Sequence, residues 1–123
     1  KELSVYHHRL GRALARLGDR DVALTQIDLA FKIDPGSIEV LKDLGILAIE
    51  TNDLERALKT FRALLLQRLD ASSAISKGEV FYYLGEISMK QGDKAKAVQM
   101  LERAVENDPQ LARAKTMLSE LKG

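Results

Sequence analysis

Apolar residues recur along this chain at intervals of three and four, in stretches that end at small or polar breaks. The first stretch, Leu3, Tyr6, Leu10, Ala13, Leu14 and Leu17, forms one stripe of an amphipathic helix that stops at Gly18. Asp19 is then placed to cap a second helix through its carboxylate, with Val22, Ala23, Ile27, Ala30, Phe31 and Ile33 inward. Asp34-Pro35-Gly36 ends it, because Pro lacks an amide hydrogen and restricts the residue before it. Ser37 caps a third helix running to about Thr51, with Leu41, Leu44, Leu47 and Ala48 inward. Asn52-Asp53 turns into a fourth, about Leu54 to Leu69, packing Ala57, Leu58, Phe61, Leu64 and Leu65. Its end, Leu64-Leu65-Leu66, is the most apolar run in the chain, so Leu66 is expected to be partly exposed or covered by the insertion after it.

That inserted segment is small and polar: Asp70-Ala71-Ser72-Ser73-Ala74-Ile75 reads as a loop or an extra turn. Ser76 and Glu79 match a capping box, in which hydroxyl and carboxylate each accept an amide at a helix start. The fifth helix runs from there to about Gln91, and Gly92-Asp93 turns into a sixth, Lys94 to about Asn107. After Asp108-Pro109 a seventh, about Gln110 to Lys122, sets Leu111, Ala114, Leu118 and Leu121 on one face. Gln110, Arg113, Lys115, Ser119 and Lys122 lie on the other, as suits a helix closing the end of a stack.

The letters of these helices repeat. A Leu-Gly pair stands at Leu10-Gly11, Leu44-Gly45 and Leu84-Gly85, and Ala23, Ala57 and Ala97 each lie twelve residues after the Gly. A large apolar residue follows each Ala by four: Ile27, Phe61 and Leu101. Pro35 and Pro109 close the first and third units, while the second has Leu69 in that place. The first two glycines are 34 residues apart and the last two 40, so the extra six fall in the polar segment. Gly inside a helix costs about 1 kcal/mol relative to Ala. Its recurrence opposite a small Ala predicts close approach of paired helices.

This pattern resembles the tetratricopeptide repeat family, whose helix-turn-helix unit has a period of 34 residues. The resemblance covers three units, residues 4–37, 38–71 and 78–111, with an insertion at 70–77 and a capping helix at 110–122. It implies an all-α fold: a right-handed superhelix, or solenoid, of three hairpins and a capping helix, seven helices in all. The family's first aromatic slot holds His7, Leu41 and Phe81, and its tyrosine-like slot holds Leu14, Ala48 and Ser88.

The resemblance also implies a concave face lined by the first helix of each unit. Its positions fall on His8, Arg9, Arg12 and Arg16 in the first unit, with Val5 and Ala15. In the second they fall on Lys42, Asp43, Ile46 and Ile49, with Glu39 and Glu50. In the third they fall on Tyr82, Tyr83, Glu86 and Met89, with Glu79 and Lys90. Such a face is basic at one end and acidic with aromatic and aliphatic residues at the other. Ile46, Ile49, Tyr82 and Met89 are expected to be exposed anchors for a partner protein or peptide. An acidic part of the partner would meet Arg9 and Arg12, and a basic part Asp43 and Glu86, with affinity of about 8 kcal/mol. Members that clamp acidic chaperone tails use Lys, Asn and Arg where this chain has His8, Arg12, Asp43, Glu79 and Tyr83, so no tail clamp is expected.

Composition narrows the alternatives. Of 123 residues, 46% are hydrophobic and 30% charged, enough apolar material for one array with a core. The net charge is +1, from 19 basic and 18 acidic residues, so no overall field points to nucleic acid or membrane. RNA-reading helical repeats carry a basic groove, and here only the first unit is basic. No apolar run is long enough to span a bilayer. With no Cys there is no disulfide or thiolate site, and the compartment stays open. Adjacent His7 and His8 point about 100° apart and cannot share a metal; His7 reads as a packing residue, and His8 as one able to face the groove and titrate. There is no phosphate loop or nucleophile elbow, and Glu50 and Asp53 read as a helix end and a cap, so neither enzyme activity nor a cofactor is expected. Lacking an initiating Met, the chain reads as a segment of a longer protein, with self-association as an alternative role.

Overall fold

Three turns of one construction join the paired helices. Gly18, Asn52 and Gly92, each seven residues after a Leu-Gly glycine, have φ of +88°, +62° and +80°. Around them the amides of Asp19, Asp53 and Asp93 reach back to the carbonyls of Leu14, Ala48 and Ser88 at 3.0, 2.8 and 2.9 Å, which satisfies the last free carbonyls of the preceding helix. In this computed structural model, which describes residues 2–123, the helices so formed are α1 Glu2–Arg16, α2 Arg20–Ile33, α3 Ile38–Glu50, α4 Leu54–Leu65, α5 Lys77–Lys90, α6 Lys94–Asn107 and α7 Ala112–Lys122. The described residues contain seven helices and no strand, the all-α organisation expected from the sequence. Among them no helix is long and apolar enough to cross a membrane.

The chain divides after Gln67 into two compact units. In the first, α1 packs on α2, α3 on α4, and α2 on α3. Its core joins Ala23, Ile27 and Ala30 of α2 to Val40, Leu44 and Leu47 of α3, with Leu14, Leu24 and Phe31 alongside. In the second, α5 packs on α6 and α6 on α7.

The glycines act as the pattern predicts. A Cβ at Gly11 would stand 2.5 Å from Ile27 Cγ1, at Gly45 2.8 Å from the Phe61 ring, and at Gly85 3.0 Å from Leu101 Cγ. Those partners are the large residues that follow Ala23, Ala57 and Ala97, and all three alanines are fully buried. A second small contact recurs one turn from the open end of two hairpins. Gly78 lies against Ala104 and Asp108, and Ser4 at the matching place donates its hydroxyl to the Ala30 carbonyl at 3.1 Å.

Several local expectations need correction. Asp19 makes no side-chain cap bond, although Asp53, Asp93 and Ser37 do. Helix α4 ends at Leu65, four residues early, and Leu66 is 88% exposed rather than covered. Without a proline to set the exit, the Leu66 and Gln67 amides close tight turns onto Ala63 and Leu64. The segment after them is a turn, one of the two forms read from the sequence. The Ser72 hydroxyl and amide donate to the Asp70 carboxylate and hold it below its ordinary pKa. Ile75, grouped by sequence with this polar stretch, is almost fully buried. On α1, α2 and the turn between them, Leu3, Tyr6, Leu17, Val22 and Ile33 are exposed, so the apolar stripe read there is wider than the face that the first unit buries.

Candidate functional site

On α1 the side chains of Arg9, Arg12 and Arg16 follow one another by three and four residues and so share a face. All three are exposed. His8, beside them, is buried: its Nε2–H donates to Asp43 Oδ2 at 2.7 Å, and Arg12 Nε stands 3.7 Å from the same oxygen. This trio links α1 to α3. The Asp43 carboxylate is engaged from within and does not present a free negative charge, contrary to the expected role of receiving a partner's basic residue. Glu50 is likewise engaged, by Arg20 at 3.5 Å. His7 packs as expected, partly buried, with Nδ1 donating to Gln26 at 2.7 Å.

Arg12, Arg16, Asp43 and Ile46 line a cleft of about 200 Å³ between α1 and α3, floored by Ile27 and Leu47. The structure thus brings together five candidate residues, but His8 is buried against Asp43 as their support and does not face the cleft as the sequence implied. Lys42 is half-buried on the same helix as Asp43. Ile49 is only 8% exposed, so it is a packing residue and not the open anchor the sequence implied.

In the second unit α5 supplies the candidate residues. Its start is fixed by the capping box: Ser76 Oγ accepts the Glu79 amide at 3.0 Å and Glu79 Oε1 accepts the Ser76 amide at 2.9 Å. Tyr82 and Tyr83 meet edge to face with ring centroids 5.3 Å apart. Tyr82 is 8% exposed, again less open than expected, whereas Met89 at 38% is accessible. Glu86, one turn after Tyr82, is half-buried, and burial raises its carboxyl above the ordinary range against the pull of Lys90 and Arg113. The Tyr82 hydroxyl is raised as well, first by burial and then by the nearby Glu86.

Sequence reasoning missed Arg113. Placed on the polar face of α7, it instead lies over the tyrosines, its guanidinium carbon 4.6 Å from the Tyr82 centroid and 5.2 Å from that of Tyr83. Its Nη2 donates to Glu79 Oε2 at 3.3 Å. A signal existed: Arg113 follows Glu79 by 34 residues, one repeat period, so extending the candidate first-helix positions into α7 names it. Among the described residues no group of three or more His, Asp or Glu could hold a metal ion.

Comparison with known proteins agrees with this fold. No curated protein sequence matches the chain. Among solved structures, MamA from Desulfovibrio magneticus RS-1 superposes with a TM-score of 0.82 at 22% identity, over 96% of this chain and 63% of that one. The second tetratricopeptide domain of human RPAP3, solved with the HSP70 peptide SGPTIEEVD, gives 0.81 at 19% identity, over 99% and 97%. YrrB, described as having an unusual peptide-binding site, gives 0.71 at 20%, over 94% and 56%. This chain therefore spans less than two thirds of the MamA and YrrB chains. At such identities the likeness speaks for the fold. The family model for the tetratricopeptide repeat matches residues 8–74 and again 42–112, and with the repeated Gly-Ala packing and three equivalent turns, the chain belongs to the tetratricopeptide repeat family.

Proposed function

We propose that this protein is a non-catalytic scaffold that binds a segment or helix of a partner protein along the first helices of its repeats. The observation that carries this reading is the cleft between α1 and α3, where Arg12 and Arg16 stand over an apolar floor of Ile27, Ile46 and Leu47. Asp43 and Glu50 also line it, each already paired within the chain, by His8 and Arg12 and by Arg20, so an open cleft with Arg12 and Arg16 over an aliphatic base suits a segment with acidic and apolar residues alternating. His8 and Asp43 set the angle of Arg12, and Arg9 and Arg16 extend the positive stripe. The peptide complex of RPAP3 supports the general mode, since that domain has the same fold. It does not extend to the same ligand. The matching clamp slots here hold His8, already bonded to Asp43, and Glu79, already bonded to Arg113. Tyr83 fills another, which leaves Arg12 as the one cation.

A displayed random-peptide library selected on the whole chain tests the proposal. Enriched sequences are expected to carry acidic residues beside aliphatic ones and to lose binding about tenfold or more with Arg12→Glu, while SGPTIEEVD gives no titration. Enrichment indifferent to Arg12→Glu, or micromolar binding of SGPTIEEVD, rejects it. A second reading, association between copies through α1, is favoured by one observation: Leu3, Tyr6 and Leu17 are exposed on a single helix and the turn that ends it.

A further inference from the structure

In the second unit, two aromatic rings and one carboxylate converge on a single cationic side chain from another helix, with a second carboxylate, Glu86, between that cation and Lys90 of its own helix. Tyr82 and Tyr83 offer ring faces to the Arg113 guanidinium at 4.6 and 5.2 Å. Glu79 accepts from it at 3.3 Å, held in place by its own capping bond to the Ser76 amide. Glu86 lies one turn beyond Tyr82 and is half-buried. Aromatic faces carry negative potential and carboxylates a full charge, so this grouping is built for a cation. A planar guanidinium meets it better than an ammonium, because it can stack on a ring while its edge donates to a carboxylate.

The present occupant is weakly held. Arg113 has a side chain 46% exposed, and an ion pair at such a site contributes little. Its helix is anchored by other residues, with Ala114 fully buried and Leu118 partly so, and the arginine side chain can leave the rings without unpacking α7.

We infer that the site formed by Tyr82, Tyr83, Glu79 and Glu86 receives an arginine side chain of a partner protein, and that Arg113 fills it as an internal surrogate which that arginine displaces. This rests on the reading that the first helices of the repeats receive a partner. It assigns the second unit a chemistry opposite to the arginine-walled cleft of the first.

The test uses the whole chain and the peptide acetyl-Gly-Arg-Gly-amide, followed by the tyrosine ring resonances, against the same peptide with norleucine for arginine. Arg113→Ala removes the surrogate, and Arg113→Gln removes its charge while keeping most of the stem that lies on the rings. Either variant, with helical content unchanged, is expected to bind the arginine peptide about two- to fivefold more tightly than the wild type, the value of one exposed cation–aromatic contact. Shifts should be confined to Tyr82 and Tyr83, and Glu86→Gln added to Arg113→Gln should weaken them. In the wild type the Arg113 Nε–H resonance should move as the peptide saturates, a readout that needs no variant. Folded variants that bind no more tightly, equal response to the norleucine peptide, or a stationary Arg113 signal would overturn the inference. The peptide library probes the first unit through Arg12, so a failure there and a failure here are told apart.

Discussion

Gly45 has no side chain at a point where a Cβ would stand 2.8 Å from the ring of Phe61, and that ring is fully buried and has nowhere to retreat. Gly45→Ala should gain about 1 kcal/mol in helix propensity and lose about 1 to 3 by overpacking, leaving a net destabilisation of up to about 2 kcal/mol. Gly36 meets nothing within 4 Å, and there the same exchange should be neutral or stabilising by up to about 1 kcal/mol. Urea denaturation midpoints of the two variants decide it: equal shifts would mean that the glycine contact is not what sets the helix spacing. Glu86 gives a residue-scale prediction of a different kind. Burial lifts its carboxyl, so the unfolded chain, ionising near about pH 4.3, gives up its proton before the folded one does. Its contribution is fully present below that pH and is lost as pH rises through the folded value. Glu86→Gln should therefore match the wild type in thermal stability near pH 4 and exceed it near pH 7. No gain at neutral pH would show that Lys90 and Arg113 compensate the burial.

At the scale of the element, helix starts divide into those with a side-chain cap and those without. Ser76 is part of a reciprocal pair with Glu79, and Ser76→Ala is expected to cost about 1 kcal/mol. Asp19 makes no cap bond, so Asp19→Ala should change stability by a few tenths of a kcal/mol at most. Thermal melts compare them, and a larger effect at Asp19 would contradict the capping account. The same contrast marks how far elements are legible in the letters. Pro35, Pro109 and the three Gly-Asp or Asn-Asp turns have a mechanism written in their residue types, and the ends of α1, α2, α3, α5 and α6 fall where those residues put them. Helix α4 has no such punctuation: its apolar periodicity runs on to Leu69 while its hydrogen bonds stop at Leu65. Periodicity reports which face could be buried, not whether a neighbour is there to bury it, and Leu66 and Leu17 are exposed for that reason.

For the molecule as a whole, the first-helix positions proposed to receive a partner could be listed from the repeat period, but their chemistry could not. Charge counted along the chain made Asp43 a free acid, whereas the fold pairs it with His8 and Arg12; exposure was assumed for Ile49 and Tyr82, which pack. Pairing and burial depend on neighbours that a period alone does not supply. The period does explain the open face of α1. In α3, Val40, Leu44 and Leu47 are buried in the core shared with α2; 34 residues earlier stand Tyr6, Leu10 and Ala13, and Tyr6 is exposed. If copies associate through α1, sedimentation should show mass rising with concentration and Tyr6→Glu should abolish the rise, while a constant monomer mass would leave the peptide-binding reading alone. The turn held by Asp70, Ser72 and Ser73 has one more consequence. Lying where the two units part, with no proline and no helix, it is a natural splice point. Chimeras exchanged between Gln67 and Ala74 should keep each half's interior intact, and Ile75 marks where such grafting has to stop.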